Sequence, residues 1–337
     1  STLQSQLYQL FDSKNIVNII KFSKDFVFIY AFLIFLFGNY NLFYNRTYRL
    51  TIIDKLILAF TILVTVYALI PLGEAEMLSK LIYAKNLYII SIAYLIGRNV
   101  TFNNTFFNSL KKVLKYLILF ISIFLCFEFV FSTHFHTIIK YSNYNSIINE
   151  INPQGSYGLS WSFESQTSFP RYAAFFADPL ELSASLLLLF SMLLFYFYEN
   201  NNKINYFLLF LIAFAFLLSF SRGAIVAGLG IVLFSLFINK KYKILISIFI
   251  ISLLVILILF YFSTDEIKYL ILDTIKFENT SSLGHLIEWI EGIISILENP
   301  FGIGLAMSGN ASGVDQAIKV GGENQFLIFG VQMGILA

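Results

Sequence analysis

INYFLLFLIAFAFLLSFSRGAIVAGLGIVLFSLFI, residues 204–238, decides how this chain folds. Two apolar runs, 204–220 and 223–238, each approach the ~20 residues that a helix needs to cross the hydrocarbon of a bilayer. The polar hinge Ser219-Phe220-Ser221-Arg222-Gly223-Ala224 joins them. Helices connected this tightly predict a membrane hairpin with the hinge at one face of the bilayer.

The composition extends that reading to the whole chain. Hydrophobic residues make up 58% of the 337, charged residues 12%, and the mean hydropathy is +0.77. No water-soluble domain of this length carries so much apolar side chain on its surface. The expected fold is an all-α polytopic integral membrane protein, with residues 1–337 forming a single transmembrane domain. Its 20 tyrosines and 39 phenylalanines supply apolar bulk and interfacial anchors. The formal charge of +2 points to no nucleic-acid partner. Cys126 is the only cysteine, so an intrachain disulfide is impossible.

Further apolar stretches lie near 22–38, 52–72, 81–97, 112–131, 179–198 and 243–262, with another opening at about 324. About nine or more transmembrane helices are expected. The last run reaches Ala337 unfinished and the chain opens at Ser1 without Met, so the expectation is a piece of a longer protein.

Loop charges orient the spans. Arg98, Lys111, Lys112 and Lys115 between the fourth and third runs, and Lys240, Lys241 and Lys243 after the hairpin, mark the cytoplasmic side. Arg46 and Arg49 agree; Lys14, Lys21 and Lys24 do not. The alternation leaves two long outer loops, 132–178 and 263–322, which hold both tryptophans and all three histidines. Loops of that length are usually functional or disordered, and the chemistry is sought there. The hairpin's hinge also falls outside. An arginine there departs from the usual cytoplasmic enrichment, so Arg222 calls for another reason, and an anionic ligand supplies one. Its neighbours Ser221, Gly223 and Ala224 are small, and the start of the following helix adds free N–H groups and a positive dipole end. The alternative is an arginine reaching from a helix end to lipid headgroups.

The first outer loop ends in Pro170-Arg171-Tyr172-Ala173-Ala174-Phe175-Phe176-Ala177-Asp178-Pro179. Asp178, Pro179 and Glu181 read as a helix start: a capping carboxylate, a proline at the first helical position and a capping-box glutamate. Arg171 offers a planar fork suited to phosphate oxygens, although ordinary loop arginines are common. Glu128, near the outer end of its span, is an ionisable residue at membrane depth and a candidate for the same cavity. His134 and His136 lack a third ligand, so no metal site is expected. Neither a Gly-x-Ser-x-Gly elbow nor a Walker loop is present, and ATP-driven chemistry is not indicated.

In the second outer loop, Leu283, Leu286, Ile287, Ile290, Ile293, Ile294 and Leu297 recur at helical spacing, with His285, Glu288, Glu291 and Ser295 elsewhere on the wheel. This predicts an amphipathic helix at the membrane surface. Asn299-Pro300 stops it, and Phe301-Gly302-Ile303-Gly304-Leu305 opens a flexible, glycine-rich stretch that shapes a turn. Glu323, at the mouth of the last apolar run, stands where a partly desolvated carboxylate takes a proton from a sugar hydroxyl; it equally suits a helix start.

Taken together, Phe220-Ser221-Arg222-Gly223-Ala224, Arg171 before Phe176-Ala177-Asp178-Pro179, Glu298-Asn299-Pro300-Phe301-Gly302-Ile303-Gly304-Leu305 and Glu323-Asn324-Gln325-Phe326-Leu327 resemble the bacterial O-antigen polymerase (Wzy) and O-antigen ligase superfamily. The likeness covers roughly residues 165–337. It implies a GT-C-like, metal-independent and cofactor-free inverting glycosyltransferase in the bacterial inner membrane, its active site facing the periplasm. The donor is an undecaprenyl-diphosphate-linked oligosaccharide, and a chain-length regulator is among the partners the resemblance admits. By the motif match Arg171 and Arg222 hold the diphosphate, Arg222 and Glu323 are catalytic, and His285, Asn324 and Glu128 are possible substrate contacts. Two guanidiniums suit the charge that develops on a departing diphosphate.

Two departures bear on the branch. Glu323-Asn324 stands where ligases usually open with His-Asn, and His285 stands where members often have arginine. The first favours a repeat-unit polymerase for O-antigen or capsule over a ligase. A transporter or flippase comes third, because ionisable residues in the second half cluster at the outer ends of spans rather than at midplane.

Overall fold

The computed structural model describes residues 2–11, 13–38, 50–99, 103–148, 155, 157–164, 170–199, 203–247, 250, 251, 254, 261, 280–309 and 324–336. Among them the elements are helical, with one isolated bridge, Glu164 to Pro170, and no strand. In chain order the helices are α1 (Thr2–Phe11), α2 (Lys14–Gly38), α3 (Ile52–Leu69), α4 (Met77–Asn99), α5 (Asn104–Phe131), α6 (Phe135–Ile138), α7 (Tyr141–Ile148), α8 (Pro179–Glu199), α9 (Lys203–Ser219), α10 (Arg222–Ile238), α11 (Thr280–Glu298) and α12 (Gln325–Met333). The all-α membrane class is what the sequence predicts.

Among the described residues three helices are long and apolar enough to cross a bilayer: α3, α5 and the Pro179–Tyr196 part of α8. The Asp25–Gly38 part of α2, with α9 and α10, is apolar but shorter. At 17 residues, α9 and α10 rise about 25 Å each, short of the ~30 Å of bilayer hydrocarbon; a tight turn joins them, and each packs on α8. The described residues thus carry fewer full-length crossings than the nine expected, and most of the stretch predicted at 243–262 lies outside them.

The chain divides into two compact units, Ser1–Lys24 with Thr101–Ser252, and Asp25–Val100 with Leu253–Ala337. In the first, α9 packs on α8 and α5, and α10 on α8. Their apolar core includes Ile118, Leu125, Leu182, Leu186, Ile212 and Ala224. Between apolar helices in lipid there is no water to expel, so close van der Waals fit holds them together, and small residues such as Ala215 and Ala224 let backbones approach. The described part of segment 132–178 is packed rather than loose. Ile139, Tyr141, Tyr144, Leu159, Phe163 and Ala173 form its own core, with Val17.

In the second unit, α3 and α4 pair. Thr51 caps α3 in a reciprocal capping box with Asp54. Asp54 also accepts from Tyr94 at 3.0 Å and pairs with Arg98. Further along, Thr61 meets Ser91 at 2.8 Å and Thr65 meets Tyr88 at 2.9 Å. Such interhelical hydrogen bonds contribute about 0.6 kcal/mol each in a membrane and set register as much as stability.

The stretch from Gly302 is locked in place, not flexible as its glycine content predicts. Ile303 N–H donates to Val331 O at 2.9 Å, Gly304 N–H to Gln332 O at 3.0 Å, and Ile335 N–H to Pro300 O at 3.0 Å. Gly302 and Gly304 have φ of 76° and 114°, and a Cβ on either would overlap backbone, of Gln332 and Leu72 respectively. Buried Gln332 completes the knot, donating to Ser308 O at 2.6 Å and accepting from Ala306 N–H at 3.3 Å. The predicted amphipathic helix is α11, with Leu283, Ile287, Trp289, Ile290, Ile293, Ile294 and Leu297 exposed.

Candidate functional site

The hinge is built by the end of α9 and the start of α10. Phe220 turns the chain with φ of 47°. Ser221 then caps α10, its side chain accepting from Ala224 N–H at 3.4 Å. The last carbonyls of a helix lack partners within it, and here other groups take them. Phe220 N–H donates to Leu217 O at 3.2 Å, Tyr172 N–H to Leu218 O at 3.1 Å, and Arg171 Nε to Ser219 O at 3.0 Å. The segment 170–178, the arm, is thereby bound to the hinge that carries Arg222.

Arg171 is half-buried, and its N–H donates to Phe163 O at 2.9 Å. Burial pushes its guanidinium below the usual arginine range; Asp178 opposes that shift and the charge of Arg222 adds to it. An arginine keeps its proton regardless, so two fixed positive charges act on each other at one turn. Arg222 is exposed and opens α10, where the helix dipole disfavours a cation and favours an anion. Beside it, nothing stands within 4 Å of where a Cβ on Gly223 would lie. Paired cations, a helix N-terminus and open space make an arrangement complementary to a multiply charged anion such as a diphosphate.

The arm is held on its other side as well. Asp178 Oδ1 accepts from Glu181 N–H at 2.7 Å, the expected cap, whereas Glu181 reaches back to Ala177 N–H at 3.3 Å rather than to the cap residue itself. Glu128 is fully buried in the last turn of α5. Its two oxygens accept from Phe135 N–H at 2.8 Å and Ala174 N–H at 2.9 Å. Where the sequence made Glu128 a candidate for lining the substrate cavity, its carboxylate is occupied by loop backbone. His136 Nε2, facing a carbonyl, donates to Phe176 O at 2.6 Å. His134 and His136 sit in an aromatic nest with Tyr141, Tyr157, Phe163 and Tyr172. Burial pushes both imidazoles down to about 4, so they are neutral near pH 7. Among the described residues no group of three or more His, Cys, Asp or Glu side chains is placed to hold a metal ion.

The remaining candidates belong to the second unit. Glu323 lies outside the described residues. Asn324 caps α12, its side chain accepting from Phe326 N–H at 3.1 Å. His285 is exposed on α11 with Nδ1 3.6 Å from a Glu288 oxygen. Sequence reasoning missed His136 and Gln332, which work through buried hydrogen bonds to distant backbone. It also missed Lys80, buried and donating to Ile70 O at 3.2 Å and Leu72 O at 2.6 Å. Only the polarity of Gln332 inside an apolar run, and of Lys80 at the edge of one, hinted at such partners.

Neither a curated protein nor a solved structure matches the chain. A family model does, and its match, residues 207–337, takes in the hinge with Arg222, α11, the glycine knot and Asn324 but leaves out Arg171 and Glu128. That family is described as O-antigen ligase (Wzy_C), and over those residues the chain is similar to it.

Proposed function

We propose that this protein is a glycosyltransferase that joins lipid-linked repeat units into an O-antigen or capsule polysaccharide at the periplasmic face of the bacterial inner membrane. The observation that carries the proposal is the convergence of Arg171 and Arg222 on one hinge. In the reaction, the anomeric C–O bond to undecaprenyl diphosphate breaks and its electron pair leaves with the diphosphate. The acceptor sugar's hydroxyl oxygen bonds to that carbon from the opposite face, inverting it, and gives up its proton to a base, the role assigned to Glu323. Arg171 and Arg222 stabilise the charge that grows on the departing diphosphate, and fixed donors of that kind each contribute about 10²–10³ in rate.

Arg222→Ala tests the assignment, because the side chain is exposed and the cap of α10 belongs to Ser221. Polymer should fall by at least about 100-fold while membrane insertion and thermal stability stay as in the parent. An inserted variant with undiminished polymer sinks the diphosphate role. A second reading, a ligase passing finished glycan to a lipid acceptor, is favoured by the description of the matched family. Deleting the gene separates the two: single repeat units at the surface or on the carrier identify a polymerase, and full-length chains accumulating on the carrier identify a ligase. No change in either returns the case to a transporter.

A further inference from the structure

The arm that carries Arg171 has no regular secondary structure between Pro170 and Asp178, so its geometry must come from what holds it. Its hinge side is bound by Tyr172 N–H to Leu218 O and Arg171 Nε to Ser219 O. On the other side two buried side chains hold it, Glu128 through Ala174 N–H and His136 through Phe176 O. Both are fully buried. Ala174 has φ of 51°, a left-handed conformation that costs about 1 kcal/mol or more for a residue with a Cβ and therefore persists only where its surroundings impose it. The Glu128 carboxylate grips that residue's N–H and, with its other oxygen, the N–H of Phe135 at the start of α6. His136, one residue later, takes the arm's next carbonyl but one. A single short segment, 134–136, is thus tied to α5 and to the arm together.

We infer that Glu128 and His136 are positioning residues for the site: a two-point tether on the arm that sets where the Arg171 guanidinium stands relative to Arg222. The inference rests on the diphosphate reading for its consequence, though not for the tether itself. A buried carboxylate at the end of a span is expensive to retain, and here its product is the fixed placement of a cation.

The test uses the full chain in lipid nanodiscs with undecaprenyl diphosphate as the probe. Glu128→Gln offers an amide N–H2 where a backbone N–H must be accepted; His136→Leu removes the donor and keeps the apolar packing; His136→Gln restores a donor. Hydrogen exchange at residues 172–177 should quicken in Glu128→Gln and His136→Leu and return toward the parent rate in His136→Gln. Affinity for undecaprenyl diphosphate should drop about tenfold in the first two, and neither substitution should weaken it further once Arg171→Ala is present. Parent-like exchange in a folded Glu128→Gln and a folded His136→Leu overturns the tether. Equal affinity losses with and without Arg171 overturn the positioning role. Unchanged affinity in Arg171→Ala alone overturns the diphosphate reading instead, leaving the tether to be judged on exchange. Should Glu128→Gln fail to insert, the His136 pair decides the same question.

Discussion

Two irregular segments are held in place by different means. The arm at 170–178 adds side-chain anchors to the backbone bonds of Arg171 and Tyr172: Arg171, Glu128 and His136 reach backbone atoms of other segments, or receive them. The glycine knot from Gly302 is held by backbone lying against backbone, with Gly73, Gly302, Gly304 and Gly334 all at positive φ and all without room for a Cβ. A segment held by ionisable side chains responds to protonation. One held by steric fit does not, and it tolerates no added atom.

The largest effect should come from breaking the knot. In Gly304→Ala the new methyl meets the Leu72 carbonyl at a φ of 114°, a conformation that alanine rarely adopts. Strain and overlap together should cost more than about 2 kcal/mol, read as a lowered Tm and rapid hydrogen exchange at Ile303 and Gly304. Parent-like stability would show that the knot opens easily and would erase the contrast with the arm.

Acid sharpens the comparison from the other side. The folded imidazoles of His134 and His136 are depressed to about 4, below the ~6.5 of an unfolded histidine. Below pH ~6.5 the unfolded chain therefore binds more protons, and stability present above that value is lost as pH falls toward about 4. Across pH 7 to 4.5, amides in and around the arm should lose protection while those of Ile303 and Gly304 change little. Equal loss in both segments would mean the acid response belongs to something other than these histidines.

The smallest effect is expected where neither device operates. Thr61→Val removes the bond to Ser91 between α3 and α4 and should lower stability by about 0.6 kcal/mol. A loss several times larger would make that pair part of the second unit's frame rather than one bond in a row.

The candidate residues themselves were legible in the sequence. Arg222 stood out because a cation in a short hinge between apolar runs needs a reason, and Arg171 because its motif recurs in order with the others. Asp178-Pro179 announced a helix start, and the knot's glycines announced a turn. Less legible was where buried polar groups would find partners. Glu128 read as a cavity residue because a carboxylate at membrane depth implies function, and nothing nearby in sequence says that its oxygens go to Phe135 and Ala174.

Hydrophobic run lengths, Gly and Pro positions and the order of the motifs were determined by the sequence itself, because a helix in lipid must satisfy its own backbone and so declares itself locally. Which side chain holds which distant backbone was decided by tertiary structure alone. Bonds such as Arg171 to Ser219 and Gln332 to Ser308 span 48 and 24 residues, and their partners are peptide groups that every residue carries, so no pattern of side chains records them.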